Sequence, residues 1–268
     1  MGLVINLKRC AVRRAFSLPT AMTRPTLFIS DLHLSPADPA TVAAWQTFLR
    51  TTATQAAALY ILGDLFEYWL GDDQLSDPFD AAIAADLLAL VAQGVAVYFM
   101  PGNRDFLPGP RFAAASGVQI LPDPTLIELD GERILLAHGD AYCTDDVAYQ
   151  RYRRLARNRL VHWLWLHTPR RWRDQQAAKL RARSQQMNRV KSADIMDVNP
   201  AAITAALQAY TTRVMIHGHT HKPARHTYPA GTRWVLPDWH AGAGGYLRWE
   251  AGLASLHGLT GAPWPLAD

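Results

Sequence analysis

Five short apolar runs, each ending directly in a polar cluster, constrain the fold of this chain more than any other feature. The runs cover residues 26–30, 58–62, 95–100, 133–137 and 213–217 and are rich in β-branched, aromatic and aliphatic side chains. Such composition suits strands buried on both faces. The clusters that follow them are Asp31-Leu-His33, Gly63-Asp64, Gly102-Asn103-Arg104-Asp105, His138-Gly-Asp140 and Gly218-His219-Thr-His221. In open α/β sheets, ligands bind beyond the carboxyl ends of the strands. The pattern therefore predicts one site assembled from segments spread between Asp31 and His221.

Helical patterns fall between the runs, over residues 40–51, 79–93 and 200–210, which indicates an α/β layered fold. Residues 234–256 are Gly- and Trp-rich with partial alternation and read as closing strands of a second, more antiparallel sheet. Cutting the chain into two domains would split the predicted site, and 49% hydrophobic residues suffice for one substantial core. No run approaches the ~20 apolar residues of a membrane-spanning helix. Cys10 and Cys143 offer neither a metal-binding spacing nor a disulfide framework, which suits a reducing compartment.

The net charge of +4 is unevenly placed. Lys8, Arg9, Arg13 and Arg14 precede Met22, and without them 23 basic residues face 23 acidic ones. Residues 1–23 are expected to be a basic extension, disordered or not native, because the first strand run begins just after Met22. The second basic segment spans 151–191, where Asp174 is the single acid. Within it Tyr152, Leu155, Ala156, Leu160, Trp163, Leu164 and His167 fall near one helical face. Thr168-Pro169 then predicts a break, with Thr as N-cap and Pro at the first helical position. The expectation is a helical hairpin inserted at about 148–192. Alone it reads as a solvated helix pair; beside the clusters it reads as a lid that meets phosphate with cations and lipid with apolar surface.

The candidate ligands are Asp31, His33, Asp64, Asn103, His138, His219 and His221. All donate oxygen or nitrogen and none is a thiolate, a set suited to Mn, Fe or Zn. Two divalent cations would bring four positive charges against two aspartates. The surplus favours an anionic phosphate and an acidified water.

The order DxH, GDxxE, GNRD, H, GHTH resembles the calcineurin-like metallophosphoesterase superfamily over residues 24–250. The resemblance implies an α/β fold built as a β-sandwich of mixed sheets flanked by helices. It also implies one metal on Asp31, His33 and His221, a second on Asn103, His138 and His219, and Asp64 as a catalytic bridge that positions the attacking hydroxide. Many members carry GNH where this chain has Arg104. Arg does not donate protons at ordinary pH, but its planar fork can clamp phosphate, which favours a diphosphate substrate.

Longer strings narrow the match: FISDLHLS, LYILGDLFEYWLGDD, GNRDFL, AHGDAYCTDDVAYQ, IMDVN and IHGHTHKPA closely resemble the bacterial UDP-2,3-diacylglucosamine pyrophosphatases of lipid A synthesis. That family implies hydrolysis of UDP-2,3-diacylglucosamine to UMP and the diacylglucosamine 1-phosphate by water attacking the α phosphorus, with two divalent ions, usually Mn²⁺. It further implies a monomer at the cytoplasmic face of the inner membrane. Substrate contacts would fall on Asn103, Arg104, Asp146, Ser184, Asn188, Lys191 and His219, with Ser184, Asn188 and Lys191 on one helical face. Glu67, Asp105 and Asp140 are expected to orient ligands, and His217 to support them or sit in the core. His162, His167, His226, His240 and His257 carry no expected role. The competing reading is another dimetal phosphodiesterase or a nuclease, but the cations concentrate in a Trp- and Leu-bearing hairpin rather than a broad basic surface, so no nucleic-acid partner is expected. A non-catalytic scaffold would not need every ligand position filled.

Overall fold

The computed structural model describes residues 24–188 and 197–265, with side chains left out over 181–188. The expected extension, 1–23, lies outside the described residues. In chain order the strands are β1 Thr26–Ile29, β2 Ala58–Ile61, β3 Ala96–Phe99, β4 Gln119–Ile120, β5 Thr125–Leu129, β6 Glu132–Ala137, β7 Val214–His217, β8 Ala224–Tyr228, β9 Gly231–Val235, β10 Gly245–Glu250 and β11 Leu253–Gly258. The helices are α1 Pro39–Thr51, α2 Pro78–Ala92, α3 Pro110–Ser116, α4 Val147–Ala156, α5 Arg159–Leu166, α6 Arg170–Asn188 and α7 Pro200–Ala209.

Two mixed sheets form, ordered β11-β10-β1-β2-β3-β4 and β5-β6-β7-β9-β8. Period-two alternation along the strands sends side chains to opposite faces. Phe28, Tyr60 and Tyr98 stand in register across β1, β2 and β3 and stack at 5.0 and 4.5 Å. They join Ile134 and Leu136 of β6, Ile216 of β7 and Trp234 of β9 in the layer between the sheets. The intervening residues Leu27, Ile29, Leu59, Ile61, Val97 and Phe99 face outward onto Trp45 and Phe48 of α1 and Ile83, Leu87 and Leu90 of α2. On the other outer face Leu135 and Met215 meet Ile203 and Leu207 of α7. The result is a β-sandwich with helices on both outer faces. Helices α1, α2 and α7 start on an Asp-Pro or Asn-Pro pair: Asp38, Asp77 and Asn199 accept from backbone N–H groups of the first turn, with Pro at the first helical position.

The closing strands depart from expectation. β10 and β11 do not extend the second sheet; β10 pairs antiparallel with β1, placing Leu247 opposite Phe28 and Trp249 opposite Thr26. Leu247, Trp249 and Leu256 complete the layer between the sheets, and this burial draws the chain across from β9.

The basic insertion between β6 and β7 holds three helices rather than a hairpin. Asn158 accepts from Leu160 N and Val161 N and so starts α5 anew. Thr168 does not cap α6: its hydroxyl donates to the Trp165 carbonyl at 2.6 Å and closes the preceding helix, while the Pro169 carbonyl accepts from Trp172 N and Arg173 N. The apolar face read from the sequence points outward, with Leu160 64% and Trp163 55% exposed; Trp165 instead packs inward against the core. Charged anchors hold the insertion to the body. Arg173 is buried and donates to the Leu70 carbonyl and to Asp73. Arg153 donates to Asp140 at 2.7 Å and to Asp123 at 2.9 Å, and Arg157 to the Gly102 carbonyl at 2.9 Å.

Candidate metal centre

The carboxyl ends of β1, β2, β3, β6 and β7 bring all five polar clusters to one edge of the sandwich. Their loops bond to one another: Asp31 N donates to the Gly63 carbonyl, His33 N to Asp64 and Gly218 N to His138, at 2.9–3.1 Å. His219 N donates to Asp31 Oδ2 at 2.7 Å. This convergence needs close backbone approach, since a Cβ on Gly102 or Gly218 would lie 2.1 Å from Asp64 Oδ1 or Ser30 Oγ. Five candidate ligands, Asp31, His33, Asp64, His219 and His221, have left-handed φ values between 48° and 69°. At about 1 kcal/mol each, this strain is a noticeable fraction of a protein's net stability and belongs to a site the rest of the fold holds in shape.

Two groups of donor atoms emerge. Asp31, His33 and His221 offer atoms within 4.8 Å of one another, and so do Asp31, Asp64 and His138. Within them His221 Nε2 stands 3.5 Å from Asp31 Oδ1 and His138 Nε2 3.8 Å from Asp64 Oδ1. Asn103 Oδ1 is 2.8 Å from His138 Nε2, and the His219 ring meets His138 edge-on at 5.0 Å. His138 Nδ1 lies 2.8 Å from the Leu62 carbonyl; donating there, it leaves Nε2 facing the centre.

These residues fit divalent ions. Asp31 Oδ1 and both ring nitrogens of His33 are buried without a hydrogen-bond partner among the described residues, a costly arrangement that coordination to a cation relieves. Ligands of one ion at ~2.0–2.2 Å stand roughly 3 Å apart, as Asn103 Oδ1 and His138 Nε2 do. The protonation pattern agrees. Burial, helped by the carboxylates of Asp105 and Asp31, pushes the Asp64 carboxyl up to about 7 against the opposing pull of His138. Burial disfavours charge on His138, but Asp64, Asp31 and Asp140 outweigh it and raise the ring to about 9. His221 likewise rises against burial to about 10, held by Asp238 and Asp31. Burial lowers His33 to about 3, assisted by Arg104, and His219 to about 4, assisted by His138. Protons on His138 and His221 thus occupy the electrostatic place that a cation would take.

Around the centre, Arg104 N donates to Asp64 Oδ1 at 2.9 Å, and the guanidinium lies 3.9 Å from Asp64 Oδ2 while pairing with Glu67. Glu67 thus bears on Arg104. Asp105 acts on the backbone, accepting from Asp64 N, Leu65 N, Phe66 N and Gly102 N. Asp140 accepts from Tyr149 and Arg153 of the insertion. His217 is buried against the Gly218 carbonyl and Arg233. Asp146 N-caps α4, accepting from Tyr149 N at 3.0 Å. The side chains of Ser184 and Asn188, and Lys191 altogether, lie outside the described residues. Sequence reading missed Asp123, which accepts from His138 N, and Asp238, whose Oδ2 lies 3.4 Å from His221 Nδ1. The signal for Asp238 was there: Pro-Asp-Trp-His directly follows the apolar run of β9, the same pattern that marks the other clusters.

A model of the calcineurin-like phosphoesterase family matches residues 24–223. The chain belongs to that family, and its ligand groups make it a hydrolase of the metal-dependent kind. It is 47% identical over 260 residues to a UDP-2,3-diacylglucosamine hydrolase of Ralstonia nicotianae, covering 92% of this chain and 97% of the relative. It is 53% identical over 219 residues to a UDP-2,3-diacylglucosamine hydrolase of Serratia proteamaculans, covering 80% and 91%. A protein of the same name from Aromatoleum aromaticum is 48% identical over 228 residues, covering 84% and 92%.

Proposed function

We propose that this chain hydrolyses the pyrophosphate bond of UDP-2,3-diacylglucosamine to UMP and 2,3-diacylglucosamine 1-phosphate, a step of lipid A synthesis. What supports it most is Arg104, whose backbone N–H donates to Asp64 Oδ1 and whose guanidinium stands 3.9 Å from Asp64 Oδ2 at the metal centre, in a chain about half identical to hydrolases named for that substrate. In this reading Asp31, His33 and His221 would hold one ion and Asn103, His138 and His219 the other, with Asp64 serving both. Mn²⁺ is the proposed native metal. Divalent ions bound there would neutralise phosphate oxygens and acidify water enough to serve as nucleophile at neutral pH.

The chain's own groups do the rest. Arg104, steadied by Glu67, clamps phosphate oxygens. The Leu62 carbonyl fixes the His138 tautomer, and the Asp105 carboxylate locks the loops after β2 and β3 together so that Asp64 and Asn103 keep their spacing. Attack falls on the phosphorus that bears uridine, so hydrolysis in ¹⁸O-labelled water puts the label in UMP; label in the sugar phosphate would refute this direction of attack. Substrate contacts are assigned to Asn103, Arg104, Asp146, Ser184, Asn188, Lys191 and His219.

The proposed phosphoesterase domain spans 24–268, with residues 1–23 as an extension and the lid at about 148–192. The lid carries exposed Leu155, Leu160, Trp163 and Leu164 beside exposed Arg154 and Arg159, a surface suited to acyl chains and anionic lipid. Among the described residues no helix is long and apolar enough to cross a membrane. A monomer peripheral to the cytoplasmic face of the inner membrane is the proposed setting. Purified protein with Mn²⁺ should cleave UDP-2,3-diacylglucosamine far faster than a p-nitrophenyl phosphodiester or single-stranded DNA. Comparable rates on all three would point to a general phosphodiesterase or nuclease.

A further inference from the structure

We propose that Asp238 is a positioning residue of the metal centre, which fixes the tautomer and ring direction of His221 and thereby sets how tightly the ion on Asp31, His33 and His221 is held. The inference rests on the assignment of His221 as a ligand in the reading above.

His221 is the candidate ligand with the weakest walls. It ends the GHTH turn with a left-handed φ of 53°, and its side chain is 40% exposed. Its two nitrogens face different carboxylates: Nε2 lies 3.5 Å from Asp31 Oδ1, inside the ligand group, and Nδ1 lies 3.4 Å from Asp238 Oδ2. A neutral imidazole carries one N–H and one lone pair, whereas a carboxylate only accepts. When an ion displaces the proton on the Nε2 side, Asp238 would keep the remaining proton on Nδ1 and leave the Nε2 lone pair aimed at the metal position. Carboxylates placed in this way behind a metal-bound histidine fix its orientation and raise its basicity. His138 has the equivalent service from the Leu62 carbonyl, but His221 lies on an open turn and takes it from a residue on another loop.

That loop is itself built into the centre. Trp239 N donates to the Asp31 carbonyl at 3.0 Å. The Trp239 side chain is buried, packs edge-on to Phe48 at 5.4 Å and donates its Nε1–H to the Gly245 carbonyl at 3.0 Å. Asp238 is thus one residue from a bond to the backbone of the ligand that His221 faces. Movement of the loop would displace Asp31 and Asp238 together. The carboxylate is shared: Oδ2 also lies 3.2 Å from His240 Nδ1, on a largely exposed ring that braces Asp238 from the solvent side.

The test is Mn²⁺ binding to the full chain, by calorimetry and electron paramagnetic resonance after chelation and dialysis, alongside thermal unfolding of the metal-free proteins. Asp238→Ala should weaken the tighter-affected Mn²⁺ site about 10- to 100-fold while the stoichiometry at saturating Mn²⁺ stays at that of the parent. Asp238→Asn keeps an acceptor oxygen for Nδ1–H and should lose less than the Ala variant. The metal-free variants also lose the charged His221–Asp238 contact, so their unfolding temperatures should fall somewhat, but by too little to account for the loss of Mn²⁺ affinity. Unchanged Mn²⁺ affinity in Asp238→Ala, or a loss fully matched by destabilisation of the metal-free chain, would overturn the proposal. His221→Ala distinguishes the levels. If it too leaves Mn²⁺ binding intact, the ligand assignment fails; if it abolishes one site while Asp238→Ala changes nothing, only the positioning role of Asp238 fails.

Discussion

The backbone N–H of Arg104 donates to Asp64 Oδ1 at 2.9 Å, so the carboxylate proposed to bridge the metals also fixes the loop that carries the phosphate clamp. The two functions are joined at one oxygen. Asp64→Ala should therefore abolish turnover and also release metal, with bound Mn²⁺ falling below the parent stoichiometry in elemental analysis. A variant that keeps both metals and near-normal turnover would remove Asp64 from the bridging position.

Arg104 should separate from the metals. Arg104→Ala is expected to lower kcat by about 10²- to 10³-fold, the usual effect of deleting one preorganised charge donor, with metal content unchanged. Glu67→Gln keeps a partner for the guanidinium but removes its charge, and a smaller loss of about 10-fold is expected. Arg104→His should not restore activity on the lipid nucleotide; a His variant faster than the parent would refute the clamp.

The exposed residues of the proposed lid give a different readout. Leu160→Ser with Trp163→Ser should weaken activity on UDP-2,3-diacylglucosamine in mixed micelles more than on a deacylated analogue, because both side chains face outward. Trp165→Ser is the contrasting variant: this ring packs on the core, so its loss should lower thermal stability and impair both substrates alike. Equal effects of the outward pair on both substrates would assign the lid face to the solvent.

Away from the site, Asp80 in the first turn of α2 is raised to about 6 by burial, only partly offset by the Gln74 amide that donates to it at 3.0 Å. Its folded pKa exceeds the unfolded value near 4, so the folded state binds more protons and stability falls as pH rises from about 4 to 6, then levels off. Asp80→Asn should stabilise the protein at pH 7.5, by about 1 kcal/mol after allowance for solvent screening of a partly exposed group. That gain should vanish at pH 4 in urea titrations. A constant gain at both pH values would point to a cause other than ionisation.

The parts of this fold that announce themselves in sequence are those whose chemistry is local. Buried parallel strands read as unbroken apolar runs, so β1, β2, β3, β6 and β7 and the candidate ligands at their ends are visible in the sequence pattern. Short or edge strands such as β4, β5 and β8 lack that continuity, and the partner of β10 depends on which layer buries Leu247 and Trp249. The extra break in the basic insertion is signalled by Asn158, a good N-cap, but is masked by apolar spacing that continues through it. The outward direction of Leu160 and Trp163 is not legible, because periodicity marks a face without saying what covers it. Asp238 escaped attention for a related reason: a lone Asp before Trp looks like a turn residue until the fold places it behind His221.

The pairing of Phe28 on β1 with Leu247 on β10 also sets an order of events for the nascent chain. As synthesis proceeds, β1 can recruit β2 early, but its other edge stays open until β10, more than 200 residues later in the sequence, has emerged. Contacts so distant in sequence are slow to form, and an open apolar edge invites association with other chains. Chains stopped just before Gly245 should retain every candidate ligand yet be aggregation-prone, whereas chains extended through Gly258 should fold to soluble protein. The last strands thus decide whether a complete set of ligands ever becomes a working centre.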